Sequence, residues 1–100
     1  MISTADVKDF LKIPYDDEDI LISNILQAGY DYLDGAIDDF DEIYTENEAF
    51  QRKADMFILH FWCPDAYDQR EGGYDGNRMT MNYPARAMLT QLQLYKKGGE

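Results

Sequence analysis

The feature that most constrains the fold is an apolar stripe at helical spacing in the middle of the chain. Its members are Phe50, Ala54, Phe57, Ile58, Phe61 and Trp62. This spacing places side chains on one face of an α-helix and predicts a largely buried central helix. Residues 45–48 offer N-cap candidates before it. Because Pro64 has no backbone N–H to donate, the sequence predicts a kink or a stop near Cys63, with one further turn to Tyr67 as the alternative.

Three further helices are predicted around the central one. Residues 3–6 give an N-cap signal for a short first helix, which ends at Pro14. The four acids at residues 16–19 predict the start of a second helix, because carboxylates complement the positive end of the helix dipole and one can cap it. Gly35 favours a stop for that helix. The last helix begins near Pro84. The two predicted stripes are Leu21, Ile22, Ile25, Leu26, Gly29, Leu33 and Ile37, and then Ala85, Met88, Leu89, Leu92 and Tyr95.

The segments between these helices complete the predicted organisation. Residues 38–44 mix charges and aromatics without a firm period and are interpreted as a connecting segment that holds Phe40 and Ile43 against the domain. Three glycines in residues 71–77 predict a flexible loop before the last helix. The expectation is one all-α domain over residues 1–100, a small bundle of about four helices.

The charge is strongly negative and unevenly placed. The chain has 20 acidic against 9 basic residues, a net charge of −11. Residues 1–48 hold fourteen acids against two lysines, whereas residues 49–100 hold six acids against seven bases. This excess of acid argues against a general nucleic-acid binder, because affinity for phosphate comes mostly from Lys and Arg. A domain of this size also has a thin stability margin, which oligomerisation would improve.

The sequence predicts neither a membrane protein nor a secreted one. Its longest uninterrupted apolar runs are a few residues, far short of the roughly 18 needed for a transmembrane helix. The first residues lack the basic and apolar regions of a signal peptide, so a cytoplasmic location is expected. A single cysteine permits no intramolecular disulfide.

The side chains available for catalysis are few. His60 and Cys63 lie three residues apart and could activate a thiolate, but their place in a dense apolar run favours structural packing. They supply only half of a structural zinc site. The acids at residues 16–19 and 34–42 do not match the calcium-binding loop of an EF-hand, and no common nucleotide-binding or hydrolase motif is present. The sequence therefore predicts no enzyme, no catalytic residue, no cofactor and no metal.

Four segments together resemble the head-tail connector family of long-tailed bacteriophages, also called adaptor or head-completion proteins. The segments are STADVKDFL at residues 3–11 with the acids of residues 16–19, LQAGYDYL at residues 26–33, QRKADMFILHFW at residues 51–62 with YDQR at residues 67–70, and PARAML at residues 84–89 with QL at residues 91–92. The likeness covers nearly the whole chain. It departs at residues 63–66, which displace Tyr67 and Arg70 from the position that such residues take in the family.

The resemblance implies a structural virion protein. Identical copies would form a ring, dodecameric in the virion, between the portal and the next neck, stopper or tail-completion protein. The ring would complete the head after packaging and extend the channel, through which DNA passes without specific binding. The implied location is the host bacterial cytoplasm during assembly and then the virion neck, and no membrane is involved.

Charge complementarity predicts which residues serve these contacts. The acidic half of one copy would meet the basic half of its neighbour. The predicted subunit-interface residues are Asp16, Asp17, Asp19, Asp38, Asp39, Arg52, Lys53, Arg70 and Arg86. The predicted portal-contact residues lie in the glycine-rich loop and the C-terminal tail, and they are Tyr74, Arg78, Lys96 and Lys97. The alternative to an interface role for each charged residue is that it is a solvated surface charge. The alternative function is a small acidic inhibitor or DNA mimic that binds a nucleic-acid enzyme.

Overall fold

The computed structural model describes residues 1–69 and 83–96. The regular secondary structure within these ranges is entirely helical, which confirms the all-α class. The predicted flexible loop at residues 71–77 lies outside the described residues. The elements are α1 (Thr4–Leu11), α2 (Asp19–Ala36), α3 (Phe40–Glu46), α4 (Glu48–Phe57), a π-helical segment (Ile58–Trp62), α5 (Cys63–Asp68) and α6 (Tyr83–Gln93).

Helices α1 and α4 begin at the caps that the sequence predicts. The Ser3 hydroxyl accepts a hydrogen bond from the Asp6 backbone N–H at 3.1 Å, and the Asp6 carboxylate accepts one from the Ser3 N–H at 2.9 Å. This reciprocal pair satisfies two backbone donors that the helix leaves unpaired. At α4 the Asn47 side chain accepts from the Phe50 N–H at 3.0 Å. Helix α2 starts at Asp19 without a side-chain cap from Glu18, so the expected capping carboxylate is absent there.

Two expectations about the end of α2 are wrong. Gly35 does not stop the helix, which runs to Ala36 and ends on the extended backbone of Ile37. The segment interpreted as a connection contains α3. Asp39 makes this helix possible by adopting the left-handed conformation at φ 59°, which turns the chain sharply between α2 and α3 and which Asp tolerates better than most residues. Phe40 and Ile43 are both buried, as predicted.

The central helix neither stops nor breaks at Pro64. Helix α4, the π-helical segment and α5 form one continuous rod over residues 48–68, with right-handed helical backbone at Phe57, Ile58, Trp62 and Cys63. The Cys63 N–H donates to the Ile58 carbonyl, five residues back. A π-helical turn of this kind absorbs one extra residue. Directly before a proline, it lets the helix continue although Pro64 cannot donate to the carbonyl four residues earlier.

Helix α2 runs antiparallel to this rod. Tyr67 donates to Glu18 near the start of α2, and the Trp62 indole donates to the Ile25 carbonyl at 2.9 Å. Further along α2, the Tyr30 hydroxyl donates to Asp55 at 2.6 Å. The rod therefore has its α5 end beside the start of α2 and its α4 end beside the C-terminal end of α2.

The core fills the space between these helices. Helix α4 packs against α3 and α6, whereas the π-helical segment and α5 pack against α2. All members of the central stripe are buried except Phe61, which is half-buried. The Phe50 ring contacts the Phe40 and Tyr95 rings, with centroids 5.5 Å and 5.3 Å away. Gln93 donates to the Ala36 carbonyl at 3.0 Å, so the end of α6 lies beside the end of α2.

Candidate functional site

The predicted interface acids at residues 16–19 lie where α1 meets the start of α2. The Lys8 ammonium forms ion pairs with Asp16 and, at 2.8 Å, with Asp19. The hydrogen bonds that Lys8 donates to Asp16 and Asp19 raise the pKa of Lys8, and the one to Asp16 lowers the pKa of that carboxyl. These are the two ion pairs between described residues. Asp17 is exposed and takes part in neither.

Asp38 and Asp39 are exposed on the turn between α2 and α3. They belong to a surface that we call the acidic end, which consists of Asp34, Asp38, Asp39, Asp41 and Glu42. The last turn of α2 contains no basic residue. Asp34 in that turn opposes the dipole of α2, whereas Asp41 and Glu42 lie in the first turn of α3, where carboxylates favour the helix dipole.

The predicted basic residues are divided between exposed and half-buried positions. Arg52 on α4, Arg86 on α6 and Lys96 after α6 are exposed. Lys53 is half-buried, and its ammonium donates to the Tyr95 hydroxyl at 3.0 Å while lying 5.2 Å from the centre of the Tyr95 ring. This contact combines a hydrogen bond with a cation–π interaction. Arg70, Tyr74, Arg78 and Lys97 lie outside the described residues.

A surface groove lies between α4 and α6. The α4–α6 groove has a volume of about 350 Å³, and its described lining residues are Lys53, Gln91, Leu94 and Tyr95. One of these four side chains is a cation and none is a carboxylate. Leu94 is 71% exposed. The sequence analysis did not predict this groove. Leu94 lies outside the apolar stripe of α6, and an apolar residue outside such a stripe indicates an exposed apolar surface.

Ile20 is a second exposed apolar residue that sequence reasoning missed. It occupies the second position of α2 and is 79% exposed, between Asp19 and the buried stripe that begins at Ile22. With Asp16, Asp17 and Asp19 it forms a surface that we call the Ile20 corner. Lys8 forms ion pairs with two of these three carboxylates, those of Asp16 and Asp19.

A phenol and carboxylate cluster ties four parts of the chain together. The Asp55 carboxylate accepts from the Tyr30 hydroxyl at 2.6 Å and from the Tyr44 hydroxyl at 2.9 Å. The Tyr30 oxygen in turn accepts from the Ile2 N–H at 3.0 Å. Burial, followed by the hydrogen bond to Asp55, raises the pKa of both tyrosines. The cluster fixes the start of α1 against α2, α3 and α4, and it is a structural element.

The His60 and Cys63 pair does not form. Cys63 is buried as predicted, and burial raises the pKa of its thiol to about 12. His60 is exposed, contrary to the expectation that it is packed in the core, and its ring lies 4.7 Å from the Phe10 ring between centroids. The thiol is therefore enclosed in the core, whereas the imidazole lies at the surface. Among the described residues, no group of three His, Cys, Asp or Glu side chains is placed to hold a metal.

None of the helices in the described ranges has the length and apolar character needed to cross a bilayer. Comparison with known proteins gives no further identification, since no family model, no curated protein and no solved structure matches the chain significantly. The candidate site is therefore a set of surfaces, namely the acidic end, the Ile20 corner, the α4–α6 groove and the exposed arginines. Each of these surfaces presents exposed charged or apolar side chains.

Proposed function

We propose that this protein is a head-tail connector of a long-tailed bacteriophage. Copies assemble into a ring between the portal and the next neck or tail protein, complete the head and extend the DNA channel. The order of elements supports this proposal. A short capped helix, an acidic turn, an amphipathic helix, an aromatic-rich rod and a proline-started helix occur in the order of the resemblance described above, with the short helix α3 added before the rod.

The observation that carries the proposal is the distribution of exposed charge. Asp38 and Asp39 at the acidic end are exposed, as are Arg52 and Arg86 on α4 and α6. Both ion pairs between described residues use Lys8 instead. Opposite charges that remain unpaired with one another inside one copy are available to pair across the boundary between two copies. Two different patches on one subunit generate a ring when the rotation between copies closes.

The acidic surface also suits a channel for DNA. Carboxylates repel phosphate and supply no counter-charge that would hold the duplex in place. We expect the assembled ring to show no measurable affinity for duplex DNA at physiological salt in fluorescence anisotropy. Binding under those conditions would contradict the channel role.

The decisive experiment measures mass by light scattering after size exclusion, for the protein alone and mixed with purified portal rings. The double variant D38N/D39N removes two interface charges, and asparagine tolerates the left-handed backbone of position 39. D9N/D68N is the matched control, because it removes two exposed charges outside the predicted interface. We expect D38N/D39N to weaken assembly and lower its salt sensitivity, and D9N/D68N to assemble as the wild type does. Equal assembly of both variants would remove the acidic end from the interface.

The predicted portal-contact residues need their own variant. Lys96 is exposed directly after Tyr95, and Tyr74, Arg78 and Lys97 lie outside the described residues. Deleting residues 96–100 should reduce binding to portal rings if the C-terminal tail makes this contact. Unchanged binding would leave the contact to Tyr74 and Arg78.

The alternative is a small acidic inhibitor or DNA mimic, and the acidic end is the observation that favours it. Lys8 weakens this alternative, because it neutralises part of the charge at Asp16 and Asp19 and so interrupts the acidic surface. A chain that stays monomeric with every portal ring tested, and that inhibits a purified nuclease or polymerase in a salt-dependent manner, would establish the inhibitor instead.

A further inference from the structure

We draw no further inference here: the strongest candidate, the exposed surface patch that Phe10 of α1 forms with Met56 and His60 of the rod, is an unpartnered apolar and aromatic face, and nothing in the structure shows what covers it.

Discussion

The Trp62 indole N–H donates to the Ile25 backbone carbonyl at 2.9 Å, and this hydrogen bond joins the rod to α2 where the two pack closely. Gly29, one turn further along α2, makes room for the approach. An added Cβ there would lie 2.7 Å from Trp62 Cδ1 and 2.8 Å from Ile58 Cδ1. The glycine is therefore a packing requirement rather than a source of flexibility.

The substitution Gly29→Ala should destabilise the fold. The rigid indole cannot move away without breaking its hydrogen bond, so the overpacking should cost about 1–3 kcal/mol, more than the gain of about 1 kcal/mol in helix propensity. Gly35→Ala is the matched control, because nothing lies within 4 Å of a Cβ at that position. It should stabilise the chain by about 0.5–1 kcal/mol. Urea denaturation measures both, and a lower midpoint for Gly35→Ala or a higher one for Gly29→Ala would contradict the packing argument.

The cluster of Tyr30, Tyr44 and Asp55 predicts a loss of stability at alkaline pH. The pKa of both tyrosines is raised in the folded chain from the ordinary value of 10.0. As pH rises above about 10, the unfolded chain releases phenol protons that the folded chain retains, so the free energy of unfolding falls. Replacing both tyrosines by phenylalanine should flatten this dependence, measured as urea midpoints between pH 8 and about 11.5.

Tyr15→Phe is the control for this pH series, because Tyr15 is exposed and lies outside the cluster. The wild type and Tyr15→Phe should lose stability in parallel. If the double phenylalanine variant kept the full alkaline dependence, the cluster would not be its source.

The ion pair between Lys8 and Asp16 predicts that the stability of the fold depends on pH in the acidic range. This ion pair lowers the pKa of Asp16 below the ordinary 3.8, so the stabilisation is present above that value and is lost as pH falls through the lowered one. Lys8→Met should flatten the change in melting temperature below about pH 4 and reduce its sensitivity to added salt. Lys12→Met serves as the comparison, since Lys12 is exposed and belongs to neither ion pair. An identical acid profile for Lys8→Met and wild type would show that the exposed pair contributes nothing.

Cys63 should react with thiol reagents only when the chain unfolds. Burial raises the pKa of this thiol to about 12, which leaves little thiolate at neutral pH and no access for the reagent. Labelling with iodoacetamide at pH 7.5 should be slow in buffer and should accelerate with urea in step with the loss of helical circular dichroism. Rapid labelling of the folded chain would revive the thiol-enzyme hypothesis.

Local patterns were enough to predict most of the helices. The caps at Ser3 and Asn47 and the stripe from Phe50 to Trp62 depend on neighbours within one or two turns, and such signals are visible in sequence. Helix α3 was missed because it is short, with Phe40 and Ile43 as its only fully buried residues, and because it follows an aspartate in the left-handed conformation, which no local sequence pattern indicates.

The surfaces were harder to predict than the helices. Tyr30 and Asp55 are 25 residues apart in sequence, and only the antiparallel packing of α2 on the rod brings them together. The half-buried position of Lys53 depends in the same way on Tyr95, 42 residues away. Ile20 and Leu94 could have been found from sequence, since each is an aliphatic residue off the stripe of its helix.

The π-helical turn changes how the rod should be compared with other helices. In an uninterrupted α-helix, Ala66 would point about 160° away from Phe50, whereas one absorbed residue brings the difference back to about 60°. Ala66 is buried, which agrees with the smaller angle. A helical wheel or an alignment that assumes a constant 3.6-residue repeat through residues 48–68 would therefore assign α5 the wrong face. Deleting one residue between Ile58 and Trp62 should turn the π-helical segment into regular α-helix and leave α5 facing α2, because the fifteen remaining steps give the same angle of about 60°.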